Sequence, residues 1–393
     1  MIKNVYHLFV AFVSLLWFRF PAHQLTVIGV TGTDGKTTTT TLIYEILKKA
    51  GMKASMITSV HAVIAGNEYD TGFHVTTPSP FYVQKLLRQA VDHGDTHMVL
   101  EVTSHALDQH RVYGIPFRVG VITNVTPEHM DWHKTIRQYL QTKFILLKQS
   151  QIAIINRDEK NIFDESRVSL QNNSIITYGI NENADITPKT FPFKTTLPGQ
   201  FNRYNCLAAI ATANALSIDQ KVIRKTVSEF TGIVGRMEVV YKKDFTVIVD
   251  FAHTPNALVQ ALSTVKSLIN GKLIHVFGSA GLRDPFKRPN MGKASSAYAD
   301  IIILTEEDYR TESVETIMDE IQKGISPEKD VHRIPNRRDA IRFALSKAQK
   351  GDVVILTGKG HEKSVCRGTK EFPWSDQEEV RKALQIILSK QSK

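Results

Sequence analysis

The sequence predicts an α/β protein: a central domain of the phosphate-loop kind on a parallel sheet, then a C-terminal Rossmann-like α/β domain. Three observations predict it. Short apolar, strand-like runs alternate with helical stretches along most of the chain, as in a parallel sheet with crossover helices. The segment VIGVTGTDGKTTTTTLIYEILKKAG, residues 27–51, sets an apolar strand against a Gly/Thr-rich turn that opens a helix. The rhythm breaks at TGIVGRM, residues 231–237, and then resumes. At 393 residues and 42% hydrophobic content the chain can bury more than one core. The expected organisation is an apolar N-terminal helix over residues 1–25, the central domain over 26–234 and the C-terminal domain over 235–393.

The first element is VYHLFVAFVSLLWFRF, residues 5–20, apolar apart from His7, Ser14 and Arg19. A membrane span needs about 20 such residues, so an interfacial or packed helix is expected instead. No small-residue cleavage site follows, as a signal peptide requires. Three readings stand: a helix covering the ATPase core, attachment to the inner face of the membrane, or an anchor. The strand-like runs that follow are VIGVT, MKASMIT from Met52, THMVLEVT from Thr96, VGVITNVT from Val119 and QIAIINRD from Gln151. An alanine-rich helix, NRYNCLAAIATANAL, comes after Pro198-Gly199. The second rhythm comprises FTVIVDFA from Phe245, KLIHVFGS from Lys272, YADIIILT from Tyr298 and GDVVILTG from Gly351.

The net charge of +10 favours anionic partners: nucleic acid, a membrane surface or acidic metabolites. No nucleic-acid motif supports the first. Cys206 and Cys366 lie far apart, without metal-ligand spacing. That argues against a disulfide framework or a zinc site and fits a reducing compartment, the cytoplasm.

A strand feeding a glycine turn that opens a helix aims backbone N–H groups and the positive end of a helix dipole at one point, where phosphate can sit. Lys36 is placed to neutralise outer phosphates and Thr37 to reach Mg²⁺. The spacing departs from G-x-x-x-x-G-K-[ST]: the position five before Gly35 is Val30, and the glycines are Gly29, Gly32 and Gly35. Glu101 ends an apolar strand, where it could take a Mg²⁺ ion held on its other side by Thr37. Further on, TNVTPEHMDWHKTIRQYLQTK places His129, Asp131 and His133 close together and ends in Lys143 within a helical pattern.

Taken in order, GTDGKTT (32–38), TTP (76–78), EVTSHALDQHRV (101–112), TNVTPEHMDWH (123–133), GRME (235–238), DFAHTPNAL (250–258), KRPNMG (287–292) and GKGHE (358–362) resemble the Mur ligases. Within that family the chain looks most like the branch that adds the third residue of the peptidoglycan stem peptide. The resemblance implies ATP-dependent amide formation through an acyl phosphate. It implies that Gly32, Thr33, Asp34, Gly35, Lys36, Thr37 and Thr38 bind the ATP phosphates, with Asn202, Arg236, Asp250 and His253 around the rest of the nucleotide. Thr37 and Glu101 would hold one Mg²⁺ and His129 a second. Lys143 falls where the family has a lysine carbamylated by CO₂, a change that turns a cation into a carboxylate-like ligand for the second ion. Lys36, His129 and Lys143 would be the catalytic groups. Thr76, Thr77, Thr103, Gln109 and Arg111 match positions that grip the muramyl dipeptide, and Arg310, Gly358 and Glu362 those that take the amino acid, with meso-diaminopimelate expected. The resemblance also implies a C-terminal domain that closes over the nucleotide, and a monomer.

Three departures stand against it. The family carries a uridine-binding domain of about a hundred residues before the phosphate loop; here 28 residues precede Gly29, so the chain is expected to lack it. The family's GCGGDRD reads GSAGLRD at 278–284, and its D-N-P-R reads EDYR at 307–310. Two other readings stay open: an ATP-dependent ligase for another carboxylate, such as a polyglutamate or a lipid-linked substrate, and a non-catalytic nucleotide-binding protein at the membrane.

Overall fold

The computed structural model describes residues 2–69, 76–128, 130–171, 173–181 and 183–391. It divides into two compact units, residues 1–231 and 232–393.

The first unit is built on β1 (Thr26–Thr31), β2 (Ala54–Ile57), β3 (Ala62–Ile64), β4 (Asn67–Tyr69), β5 (His97–Glu101), β6 (Phe117–Ile122), β7 (Ser150–Asn156) and β8 (Ser174–Tyr178). They form one sheet in the order β4-β3-β2-β5-β1-β6-β7-β8. Pairing is parallel from β2 to β8, and β3 and β4 add an antiparallel edge. Its helices are α1 (Ile2–Trp17), α2 (Lys36–Lys49), α3 (Pro80–Asp92), α4 (Ser104–Asp108), α5 (Met130–His133), α6 (Ile136–Lys148), α7 (Lys160–Ser169), α8 (Gln200–Ala215) and α9 (Gln220–Glu229).

Strand β1 lies at the centre because both of its faces are apolar. Ile28 and Val30 pack with Leu42 and Ile46 of α2 and with the buried run Cys206–Ala211 of α8. Val27, on the opposite face, packs with Leu86 and Leu87 of α3 and Leu146 of α6. This alternation is the period-2 register of a strand buried on both sides. Its polar ends gather at the carboxyl edge of the sheet, where open α/β sheets place their sites.

In the second unit β9 (Glu238–Lys242), β10 (Thr246–Val249), β11 (Leu273–Phe277), β12 (Ile301–Leu304), β13 (Asp330–Arg333) and β14 (Val353–Leu356) form a sheet in the order β13-β12-β11-β14-β10-β9. All pairs are parallel except β9 against β10. A separate hairpin pairs β15 (Ser364–Arg367) with β16 (Lys370–Pro373). The helices are α10 (Pro255–Ser267), α11 (Lys287–Tyr298), α12 (Val314–Gln322), α13 (Arg337–Lys347) and α14 (Asp376–Gln391).

Two buried polar groups lock this unit. Arg337 at the start of α13 pairs with Asp376 at the start of α14 at 2.7 Å, both essentially without solvent exposure. In the middle of β11, His275 lies between the hydroxyls of Ser295 at 2.8 Å and Thr357 at 2.9 Å and stacks on Phe277. Burial, with the positive charge of Arg337, pushes the His275 pKa down from 6.5 to about 3. The folded histidine refuses a proton that the unfolded chain accepts, so its contribution to stability is complete above pH 6.5 and is lost as pH falls towards 3. Acid titration of unfolding should therefore show the second unit weakening across that window, and His275→Gln should flatten the slope there. An unchanged slope in the variant would show that other groups set the acid limit.

Candidate active site

The turn between β1 and α2 has a backbone that only glycine follows at two points. Gly32 has φ +147° and Gly35 has φ +81°. A Cβ on Gly32 would overlap the Thr123 hydroxyl, and one on Gly35 the Asn205 side-chain oxygen. Helix α2 begins after Gly35 with no side-chain cap, so the amide donors of its first turn face the turn.

The loop after β6 holds the turn in place. Thr33 N donates to the Asn124 carbonyl at 2.9 Å, and Asp34 N to the Asn124 side-chain oxygen at 2.8 Å. The Thr123 hydroxyl and the Asn124 amide donate to the Asp34 carbonyl at 2.7 and 3.1 Å. The Thr33 hydroxyl donates to the Thr126 carbonyl at 3.2 Å and lies 3.3 Å from the Tyr139 hydroxyl. Lys36 curls back so that Nζ donates to the Thr33 carbonyl at 2.7 Å, which keeps its charge over the turn. Asn202 and Asn205 of α8 are joined at 3.1 Å, and Asn205 reaches Gly35.

Two sets of groups flank the turn. On one side the Thr37 hydroxyl donates to the Glu101 carboxylate at 3.0 and 3.2 Å, and both residues are buried. Ser59, just after β2, joins them: its backbone N–H donates to Glu101 at 2.9 Å and its hydroxyl lies 3.0 Å from that of Thr37. On the other side Lys143 of α6 is buried, donating to the Gly32 carbonyl at 2.7 Å with Nζ 4.1 Å from the Tyr139 ring centre. Burial, and then the neighbouring charge of Lys36, hold its pKa well below the ordinary lysine value.

A polar cluster extends from Glu101 along the next segment. The Thr77 hydroxyl donates to the Glu101 carbonyl at 3.0 Å and accepts from Thr103 N at 3.1 Å. Arg111 donates to the Thr77 carbonyl at 2.6 Å and to the Gln109 side chain at 2.7 and 3.0 Å. Thr77, Thr103, Gln109 and Arg111 are thus brought together, with half-buried Thr76 adjoining Thr77. His133 lies 3.0 Å from the Ser104 hydroxyl. His129 lies outside the described residues.

In the second unit Asp250 accepts from Met237 N at 2.7 Å and Ala252 N at 2.8 Å, and Arg236 lies over the Phe251 ring. Burial raises the Asp250 pKa against the opposing pull of Arg236. His253 Nδ1 donates to the Phe251 carbonyl at 2.9 Å, and the His253 carbonyl accepts from the Lys287 ammonium at 2.9 Å. A buried lysine, Lys359, bridges Asp308 at 2.7 Å and Glu362 at 2.5 Å. Gly358 (φ +101°) brings its backbone against Glu307, whose buried Oε2 has no hydrogen-bond partner. Arg310 donates to the Gly281 carbonyl at 2.6 Å. Two of its acidic neighbours are engaged elsewhere, Glu306 with Arg367 and Glu312 with Arg288.

Sequence reasoning missed Ser59, Asn124, Tyr139, Asn205 and Lys359. Tyr139 had a signal, four residues before Lys143 on one helix face. Ser59 had another, its place just beyond a strand end. Asn205 had none of this kind, since it acts through a contact distant in sequence, and Lys359 had only its spacing of three to Glu362.

The donors around Thr37 and Glu101 are hard oxygens, which fit Mg²⁺. Among the described residues no three His, Cys, Asp or Glu side chains gather in metal-binding fashion. Mg²⁺ sites of this sparse kind are completed by substrate phosphates and water.

Comparison with known proteins gives a consistent result. Residues 30–213 match the Mur ligase middle domain and residues 235–360 the Mur ligase, glutamate ligase domain. The chain is 39% identical over 387 residues to a UDP-N-acetylmuramoyl-L-alanyl-D-glutamate--2,6-diaminopimelate ligase of Aquifex aeolicus (strain VF5), covering 94% of this chain and 79% of that one. It is 36% identical to the protein of the same name from Geobacillus kaustophilus (strain HTA426), over 93% and 80%. A solved structure of a ligase of that name aligns with TM-score 0.64 at 30% identity, over 95% of this chain and 82% of the other.

The geometry of the turn predicts a local defect. Gly35→Ala places a side chain at φ +81° against Asn205. Amide exchange at residues 36–39 should rise by about tenfold or more while that of β11 stays unchanged. Unchanged exchange at 36–39 would show that the turn accommodates a side chain.

Proposed function

The chain belongs to the Mur ligase family, and from that premise we propose that it is an ATP-dependent ligase that adds meso-diaminopimelate to UDP-N-acetylmuramoyl-L-alanyl-D-glutamate in the cytoplasm. The observation that carries the reading is the gathering of Lys36, the Thr37–Glu101 pair and buried Lys143 around one glycine turn. An acceptor carboxylate oxygen bonds to the γ-phosphorus of ATP as the bond to ADP breaks. The amine of the incoming amino acid then attacks the acyl carbon, loses a proton, and phosphate leaves with the former carboxylate oxygen.

The chain's part in this is positioning and charge neutralisation, which is most of what phosphoryl transfer asks of a protein. The amides at the start of α2 and the Lys36 ammonium receive the phosphates; Asn202, Arg236, Asp250 and His253 are assigned to the rest of the nucleotide. Mg²⁺, when bound, supplies positive charge at the phosphate oxygens. Thr37 and Glu101 would hold one ion, and His129 with Lys143 a second. Lys143 is assigned a carbamate because of where it sits: an ammonium enclosed beside Lys36 would repel a metal, whereas a carbamate there offers it oxygen. Thr76, Thr77, Thr103, Gln109 and Arg111 are assigned to the acceptor.

Arg310, Gly358 and Glu362 are assigned to the amino acid. The distal end of diaminopimelate carries a carboxylate and an ammonium, which suit a cation and an anion in one pocket. Glu306 and Glu312, two acidic neighbours of Arg310, are drawn off by Arg367 and Arg288, which supports a role in receiving a carboxylate from solution. Lysine, lacking that carboxylate, leaves the guanidinium unanswered.

Turnover measurements test these assignments. Phosphate release should require ATP, the muramyl dipeptide and diaminopimelate together, with lysine a poor substitute. Arg310→Ala should raise the KM for diaminopimelate by about tenfold or more while leaving that for ATP unchanged. A preference for lysine, or a variant indifferent to diaminopimelate concentration, would sink the assignment. Lys143→Ala should be nearly inactive, and removing CO₂ from the wild-type assay should depress the rate reversibly; normal turnover by the variant would remove the carbamate from the account.

A further inference from the structure

Helix α1 presents two faces of different fate. Ala11 and Leu15 are buried, and Leu15 packs where a side chain on Gly114 would stand. Just beyond the helix, Phe18 meets Phe81 at the start of α3 edge to face, 4.8 Å between ring centres. The helix is therefore docked on the first unit along one side. The other side is exposed and apolar but for the Tyr6 hydroxyl: Val5 (64%), Tyr6 (64%), Phe9 (64%), Phe12 (47%), Val13 (42%), Leu16 (50%) and Trp17 (72%) share it at helical spacing. Phe20 and Phe81, both exposed, continue the patch past the helix end. Scattered apolar residues on a surface need no explanation; a contiguous half-helix of aromatic and branched side chains does.

Charge selects what covers it. No Asp or Glu lies between Met1 and Thr33, while Lys3 falls in the first turn of the helix and Arg19 just past its end. Arg19 and Arg88 line a groove with Trp17, Phe18 and Asp92, and Lys85 of α3 is exposed. Arg88 is partly neutralised by Asp92 at 2.7 Å, which leaves Arg19 and Lys85 as the stronger cations of the rim. The chain as a whole carries +10. An apolar aromatic face with a basic border matches a bilayer surface of anionic lipid, where rings enter the headgroup boundary and cations meet phosphates. Length selects the orientation. Sixteen residues extend about 24 Å, short of the roughly 30 Å hydrocarbon core, and no described helix is long and apolar enough to cross a membrane.

We propose that the exposed face of α1 docks the protein on an anionic phospholipid surface, with the helix lying in the plane of the interface and its opposite face still packed on the first unit.

Co-sedimentation of the full chain with vesicles tests this. It should bind phosphatidylglycerol-containing vesicles, bind pure phosphatidylcholine far less, and release with rising salt. The double variant Phe9→Glu/Phe12→Glu should lose at least about tenfold in partitioning with an unchanged melting temperature, since both side chains face solvent. Arg19→Glu/Lys85→Glu should reduce the preference for anionic over neutral vesicles. Failure of the wild type to bind anionic vesicles would overturn the proposal, as would binding that the Phe9→Glu/Phe12→Glu chain retains. A concentration-dependent dimer in solution, abolished by the same two substitutions and unaccompanied by vesicle binding, would reassign the face to a second copy of the chain.

Discussion

The turn at residues 32–35 does not hold its own shape. Its two glycines take backbone angles that cost other residues energy, its carbonyls and amides are met by groups from β6's trailing loop and from α6 rather than by one another, and Asn205 of α8 packs against Gly35. Everything proposed for the first unit depends on that stitching. It points the first-turn amides of α2 outward, sets Lys36 over the turn, and fixes Thr37 against Glu101. The central position of β1 makes the stitching possible, because its neighbours β5 and β6 deliver Glu101 on one side and residues 123–126 on the other. The same placement aims α6 so that Lys143 ends on the Gly32 carbonyl. A strand buried on both faces is thus the mechanical support of a polar site at its end.

The second unit meets a related problem with buried charge. Lys359 is enclosed, yet Asp308 and Glu362 face it, and although burial alone would lower its pKa these two carboxylates hold it above the ordinary value. Such an arrangement contributes little net stability, since desolvating the ions offsets much of their attraction. Its effect is positional. Asp308 lies two residues before Arg310, so the lysine ties that turn to Glu362 in the GKGHE segment. Arg367 with Glu306, and Arg288 with Glu312, likewise hold two of the carboxylates that lie beside Arg310 in sequence.

Much of the fold was legible because its central strands are continuous apolar runs: β1, β5, β6, β7, β10, β11, β12 and β14 all coincide with segments read as strands. The edges were not. Strand β13 is DVHR, β16 is fully exposed, and β3 and β4 are three residues each, too short or too polar for a periodicity to register. At the site, residues tied to a local pattern were legible: Lys36 and Thr37 through the glycine turn, Glu101 through its strand end, and the Thr103 to Arg111 segment through its resemblance to known ligases. The groups that shape the turn were not, since Asn124 and Asn205 act across roughly ninety and one hundred and seventy residues of chain. Arg310 illustrates the limit: the charge run EEDYRTE suggests neutralisation by its neighbours, whereas the fold sends Glu306 and Glu312 to other arginines.

The central claim, that the chain activates a carboxylate by phosphoryl transfer before forming an amide, can be tested by isotope transfer. Muramyl dipeptide acceptor carrying ¹⁸O in its reacting carboxylate, turned over with ATP and diaminopimelate, should yield inorganic phosphate containing one ¹⁸O atom per molecule. Unlabelled phosphate from the same turnover would contradict the account, because it would mean that the acceptor oxygen never bonded to phosphorus.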